Sequence, residues 1–303
     1  YLFSSRLVAL YSALIFTVNS YVFLKMNLGF NQKCTLFWIP IYCLFLFKLQ
    51  NAKRWCYVFG AGLTLILMQL TYPPYAYFAI IFTIILSAYS LLKPEELCFA
   101  FSRLISILVF YFAVSSLVYY LMGFGFVYFN PYQVDFNITL DGSLDLLRPF
   151  KFFPYHSPGF PTELPLGISV SAFVLGIIAF IKNKGLARLI MAIFIFFCIL
   201  AAGPYLVHND SFVYFWGRKV ILPFYFMDKY LPFIKGIFYP IRLFPFINIC
   251  LAISAGYGML YLSSVFRKSR VLIFALLFPI VYISEQILIF PQLFPPKLSD
   301  VYV

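Results

Sequence analysis

The residues best suited to chemistry in this chain are cations gathered in one aromatic-rich stretch. They are Arg218, Lys219, Lys229, Lys235 and Arg242. An arginine guanidinium is planar and can donate two parallel hydrogen bonds to a phosphate. A basic surface with aromatic walls therefore predicts a site for the phosphate of a lipid carrier, with Arg242, Lys235 and Arg218 as its contacts. The alternative is that these side chains lie against ordinary phospholipid headgroups.

Three carboxylates are candidates for acid–base catalysis: Asp135, Asp141 and Asp145. They lie in the polar stretch NPYQVDFNITLDGSLDLLRP, where a carboxylate can take a proton from a substrate hydroxyl or bind a cation. Their spacing matches no metal-binding loop, and a solvated loop is the alternative interpretation. The sequence therefore predicts no obligatory cofactor, and it leaves a divalent cation such as Mg²⁺ or Mn²⁺ open.

Glu285 is a carboxylate inside an apolar run, where an unpaired charge is costly in a bilayer. The run that contains it follows directly on the run that begins near Arg242, and the short loop between them makes the two helices antiparallel. We therefore expect Arg242 and Glu285 at the same end, where they can pair. A structural ion pair and a direct role of Glu285 in the chemistry both remain open.

Motifs of soluble enzymes and nucleic-acid-binding proteins are missing from the sequence. It has no glycine-rich phosphate loop and no nucleophile elbow, and His156 and His208 are too far apart in sequence to predict a metal pair. The net charge of +12 comes from small Lys and Arg clusters between apolar runs, which favours phospholipid over nucleic acid. We expect no nucleic-acid partner.

The elements that position these residues are predicted to be membrane helices. Hydrophobic residues make up 63% of the chain and charged residues only 11%, compared with about 25% charged in soluble domains. The fold class is predicted to be all-α, a polytopic transmembrane bundle of about nine spans. The spans are predicted near residues 7–24, 35–49, 55–72, 75–92, 98–121, 165–182, 188–207, 243–264 and 271–290.

The distribution of Lys and Arg gives this bundle an orientation, because short cytoplasmic loops carry an excess of basic residues. Every alternate break is basic: Arg6; Lys48, Lys53 and Arg54; Lys93; Lys182, Lys184 and Arg188; Arg267, Lys268 and Arg270. The two long aromatic-rich segments, near 122–164 and 208–242, therefore face the extracytoplasmic side. We expect them to lie at the membrane surface, with short helices capped by proline.

Several stretches of the chain resemble type C glycosyltransferases and the YfhO-like bacterial membrane proteins. In the first half they are SSRLVALYSALIFTVNSYVF, FWIPIYCLFLFKL and WCYVFGAGLTLILMQLTYPPYAYF. The second half adds ILAAGPYLVHND, ILPFYFMDKYLPFIKGIFYPIRLFPF, AISAGYGMLYL and LIFPQLFPPKLSDVYV. The resemblance spans nearly the whole chain as dispersed patterns.

This resemblance implies an enzyme that transfers a sugar from a polyprenyl-phosphate donor to a cell-envelope acceptor, at the outer face of a bacterial cytoplasmic membrane. Such families usually carry one arginine two residues before a proline and another two residues after it, and the corresponding proline here is Pro240. Here Phe238 stands at the earlier position and Arg242 keeps the later one. The expected catalytic acid lies in a first outer loop that would precede Tyr1. We expect residues 1–303 to be one membrane domain, a fragment without that loop or a C-terminal extracytoplasmic domain.

Two other functions fit the same composition. A transporter or flippase for a lipid-linked substrate would use an intramembrane carboxylate such as Glu285. A non-catalytic scaffold for envelope assembly is the third interpretation. Because polar residues collect at one face and the predicted spans are apolar at their centres, the sequence favours chemistry at the surface over a path through the membrane.

Overall fold

The computed structural model describes residues 5–19, 21–22, 26, 35–51, 54–90, 97–121, 168–183, 185–208, 211–230, 240–266 and 268–289. These residues are mostly helical, as the sequence predicts, and each of the nine predicted apolar segments contains helical residues in the described part of the chain. The helices are α1 (Arg6–Thr17), α2 (Trp38–Asn51), α3 (Trp55–Thr71), α4 (Pro73–Ser90), α5 (Leu97–Leu121), α6 (Val170–Lys182), α7 (Leu186–Ala201), α8 (Pro223–Tyr230), α9 (Phe244–Val265) and α10 (Lys268–Ile289).

Two helical stretches in the described part of the chain are long and apolar enough to cross a membrane. They are Phe101–Leu121 within α5, and Pro240–Val265, which contains α9. Several of the other helices are shorter: α6 has 13 residues, which at about 1.5 Å per residue gives roughly 20 Å against a hydrocarbon layer of about 30 Å. Nine crossings therefore remain a prediction from the sequence.

Contacts divide the chain into two compact units. The first comprises Tyr1–Cys34, Phe136–Tyr225 and Tyr239–Val303, and the second comprises Thr35–Asp135 and Phe226–Phe238. In the first unit α9 is central and packs against α6, α7 and α1. In the second unit α3 is central and packs against α2, α4 and α5.

Close packing of α9 against α6 depends on a glycine. A Cβ atom at Gly258 would lie 2.1 Å from the carbonyl oxygen of Leu175 on α6. The neighbouring α9 residues Ala252, Ser254 and Ala255 are also small and almost fully buried. Small residues let two helix backbones approach closely, which is how helices associate where no water drives them together.

The first predicted span is interrupted, because α1 ends at Thr17 rather than near residue 24. Asn19 explains the break: its side-chain amide donates to the carbonyl of Phe16, and its Oδ1 accepts from the backbone N–H of Val22 at 3.1 Å. The Tyr282 hydroxyl of α10 lies 2.9 Å from the carbonyl oxygen of Ile15 and 2.6 Å from that of Val18. The last carbonyls of a helix have no partner within it, and here a buried hydroxyl supplies one.

Polar side chains also link the helices of the second unit. The Tyr111 hydroxyl donates to Gln69 Oε1 at 2.9 Å, and Gln69 Nε2 donates to the Tyr119 hydroxyl at 2.9 Å, joining α5 to α3. Between α2 and α4, the hydroxyls of Tyr42 and Thr83 form a buried hydrogen bond. These bonds satisfy polar groups that would otherwise be costly in an apolar interior.

The segment that the sequence assigns to short interfacial helices begins instead with β structure. Strand β1 (Val207–His208) pairs with β2 (Ser211–Phe212), and β3 (Tyr214–Phe215) pairs with β4 (Arg218–Lys219), both antiparallel. The helical expectation is therefore wrong for this part. It is correct for α8, which begins at Pro223.

Three backbone hydrogen bonds close the two hairpins into one small fold. The N–H of Leu206 donates to Val220, that of Val220 donates to Val213, and that of Val213 donates back to Leu206, at 2.9, 3.1 and 2.9 Å. Because these bonds and the strand pairs satisfy the backbone locally, so short a segment needs no helix to bury its polar groups.

Candidate functional site

Arg242 lies at the start of the most buried helix of the first unit. A 3₁₀ turn, Pro240–Leu243, leads directly into α9. Ile241 and Leu243, on either side of Arg242, are 1% and 0% exposed, whereas Arg242 itself is partly exposed. Pro240 fixes its own φ, and buried neighbours fix the turn, so the backbone of Arg242 is restrained.

The electrostatics at this position favour an anion. The N-terminus of α9 has no side-chain cap and no acidic residue in its first turn. The N-terminal end of a helix carries a partial positive charge. A guanidinium at the same end adds to that charge and offers paired donors to a phosphate.

The other two predicted phosphate contacts are not assembled around Arg242 by the described residues. Arg218 lies on β4 with an exposed side chain, and its cross-strand neighbour is Phe215. Lys235 lies outside the described residues. Arg218 and Arg242 belong to the same unit, but no contact joins their side chains in the described structure.

Lys219, the neighbour of Arg218, has a role inside the small β fold. Its Nζ atom lies 3.7 Å from the ring centre of Phe212 and 5.2 Å from that of Tyr205. Such cation–π contacts hold the ammonium group over the aromatic faces. Tyr205 lies beyond the end of α7, and its ring also contacts those of Phe212 and Tyr225.

The predicted acids are mostly outside the described residues. Asp135, Asp141 and Asp145 all lie there, and so does His156. Asp228 on α8 is within the described part and is buried, 8% exposed. The described residues contain no group of three or more His, Cys, Asp or Glu side chains arranged to hold a metal ion.

Glu285 is bound by two serines, and the expected pair with Arg242 is not formed. Its Oε1 accepts from the backbone N–H of Ser171 at 3.0 Å, and its Oε2 accepts from the hydroxyls of Ser169 and Ser171, the latter at 3.1 Å. Ser169 is also the N-cap of α6 and accepts from the N–H of Ala172 at 3.2 Å. The carboxylate from α10 therefore caps the N-terminus of α6.

This arrangement accounts for a charged residue within an apolar run. A helix N-terminus presents unpaired N–H groups and a positive dipole end, and a carboxylate satisfies both. Tyr282 and Glu285 lie about one turn apart on α10, and they bind α1 and α6 respectively. Glu285 thus joins two helices, and its observed contacts are structural.

The sequence carries a signal for one side of these contacts. Ser169 stands immediately before the apolar run of α6, which is where N-cap residues are found, and Ser171 lies in the first turn. The pairing of that cap with a carboxylate more than a hundred residues later depends on tertiary packing, which hydropathy does not reveal.

Comparisons of the chain with protein-family models, with curated proteins and with solved structures find no match. The resemblance to type C glycosyltransferases therefore stays an expectation from sequence patterns.

Proposed function

We propose that the chain is the membrane-embedded part of a glycosyltransferase that takes its sugar from a polyprenyl-phosphate donor at the extracytoplasmic face. The observation that carries this proposal is the position of Arg242, in a proline-fixed turn at the uncapped N-terminus of α9. A partly exposed guanidinium at the positive end of a buried helix suits the phosphate of a lipid carrier.

The membrane location is supported by the exposure of α5. Only 17% of its most apolar stretch is buried. The side chains of Phe101, Val109 and Phe112 are 58%, 61% and 57% exposed. The core helix of a soluble protein would be covered, whereas a lipid-facing helix needs no cover. A multi-pass topology with about nine spans completes the proposal.

The proposed reaction is a single displacement at the anomeric carbon of the donor sugar. An outer carboxylate takes the proton of the acceptor hydroxyl, whose oxygen bonds to that carbon as the carbon–oxygen bond to the lipid phosphate breaks. The leaving phosphate gains charge, which Arg242 stabilises, with Lys235 and Arg218 as further candidates. The candidate bases are Asp135, Asp141 and Asp145, and Mg²⁺ or Mn²⁺ can assist.

The test is transfer of a labelled sugar from a polyprenyl-phosphate donor by the full protein in proteoliposomes. Arg242→Ala should lower transfer by roughly a hundredfold if it stabilises leaving-group charge, and Arg242→Lys should retain part of it. Arg188→Ala is the matched control, because Arg188 donates to the carbonyl of Phe180 at 3.0 Å and has no proposed part in transfer. Unchanged donor binding and transfer in Arg242→Ala would refute the proposal.

The interruption of α1 favours a second candidate, a transporter or flippase for a lipid-linked substrate. Broken helices that expose backbone carbonyls are typical of transporter binding sites. Here the Tyr282 hydroxyl occupies those carbonyls. Movement of a labelled donor between leaflets without sugar transfer would support this function over the first.

A further inference from the structure

The turn between β3 and β4 carries exposed aromatic side chains. Trp216 is 91% exposed, and Phe215 and Tyr214 are 68% and 59% exposed. The rings of Phe215 and Trp216 stack, with centroids 5.8 Å apart and planes 20° apart. A contiguous patch of large aromatic rings on a protein surface marks a site of interaction.

The backbone at this turn makes tryptophan an unfavourable choice for stability. Trp216 has φ of +51° and Gly217 has φ of +74°, the left-handed conformation at both central residues of a two-residue hairpin turn. Asn-Gly is the preferred pair there, because L-residues other than Asn and Asp rarely adopt the left-handed conformation. An exposed ring recovers little of the cost of that conformation by burial, so Trp216 is explained by a contact outside the protein.

The charge around the turn indicates the partner. Residues 211–222 contain Arg218 and Lys219 and no acid. Lys219 folds back over Phe212, whereas Arg218 is exposed and lies opposite Phe215 across the hairpin. Tryptophan and tyrosine side chains favour the headgroup zone of a bilayer, and an arginine there pairs with lipid phosphate.

We propose that residues 214–218 form a membrane anchor that inserts into the headgroup layer of the extracytoplasmic leaflet. Phe215 and Trp216 reach the boundary with the acyl chains, and Arg218 binds the phosphate of an anionic phospholipid, which is the alternative to its candidate role at the donor phosphate. The surface that a two-residue turn can bury is far smaller than the roughly 1,000 Å² that a specific protein interface needs. This favours lipid over a protein partner. The inference rests on the membrane location proposed above but not on sugar transfer.

The anchor can be tested by lipid quenching of Trp216 fluorescence in the full chain. The sequence contains three tryptophans, so the variant with Trp38→Phe and Trp55→Phe leaves Trp216 as the sole emitter. In vesicles of phosphatidylcholine and phosphatidylglycerol, bromine near the headgroup end of the acyl chain should quench it more than bromine near the terminal methyl. Full accessibility to aqueous acrylamide with no lipid quenching would overturn the proposal.

A tryptophan placed on α5 distinguishes an error in the proposed anchor from an error in the proposed membrane location. Val109→Trp, with all three native tryptophans replaced by phenylalanine, places the probe on the exposed face of α5. Deep bromines should quench it. Quenching there with none at Trp216 refutes the anchor alone, whereas no quenching at either position refutes the membrane location on which the anchor depends.

The phosphate contact has its own matched control. Phosphatidylglycerol titrated into the single-Trp216 protein in detergent should shift its emission to shorter wavelength. Arg218→Gln should weaken the apparent affinity roughly fivefold, the equivalent of about 1 kcal/mol for one arginine at an anionic surface. Lys219→Gln should have a smaller effect, because Lys219 is held over Phe212. Equal effects of the two substitutions, or none from Arg218→Gln, would overturn the role of Arg218.

Discussion

At the scale of single residues, the contacts of Glu285 predict a contribution to stability. Glu285→Leu should lower the free energy of unfolding by about 1–3 kcal/mol, because the N–H and hydroxyl of Ser171 lose their acceptor in a buried site. Glu285→Gln keeps one acceptor oxygen and should cost less. Denaturation of the detergent-solubilised protein measures both, and equal losses for Leu and Gln would contradict capping as the cause.

Arg242 is not among the hydrogen-bond partners of Glu285, which gives a second prediction. Residues that do not touch contribute additively to stability, to within about 0.5 kcal/mol. The unfolding free energies of Arg242→Ala, Glu285→Gln and the double variant should therefore form an additive cycle. A coupling energy above about 1 kcal/mol is typical of residues in contact, and it would support the Arg242–Glu285 ion pair that the sequence predicts.

At the scale of elements, the α6–α9 contact should be sensitive to one methyl group. Gly258→Ala places a Cβ atom against the Leu175 carbonyl. The backbone of α6 cannot shift to relieve this clash without disturbing the helix. The expected loss is about 1–3 kcal/mol in the unfolding free energy. Gly176→Ala is the matched control on α6, where the nearest atom is the flexible Met191 Sδ at 3.2 Å. A loss as large for Gly176→Ala would mean that close backbone approach is not the reason.

The β3–β4 hairpin gives a prediction about backbone conformation alone. A Cβ atom at Gly217 would meet nothing within 4 Å, so Gly217→Ala tests only the cost of positive φ, about 1–2 kcal/mol. Amide exchange at Val220, whose N–H donates to Val213, should accelerate roughly tenfold. Trp216→Asn, better suited to this turn, should slow that exchange or leave it unchanged.

The sequence predicts the helices of this chain well because long apolar runs leave few other ways to satisfy the backbone. It misses features that depend on single residues: Asn19 ends α1 inside an apolar run, and Trp216-Gly217 forms a hairpin turn inside an aromatic segment. Both features could be predicted from the sequence, since Asn is favoured at helix ends and a glycine between strand-forming residues is typical of short turns. The partner of Glu285 could not be predicted, because it depends on how α10 packs against α6.

At the scale of the whole molecule, the charge pattern predicts which side of the membrane each loop faces. Lys184→Cys and Ser211→Cys, made separately in a chain with its six cysteines replaced, should react with an impermeant thiol reagent from opposite sides of oriented vesicles. Only α7 separates them, and its 16 residues extend roughly 24 Å. Local thinning of the bilayer must make up the difference. Labelling of both cysteines from one side would mean that α7 does not cross the membrane. That result would contradict both the nine-span topology and the extracytoplasmic position of the hairpin.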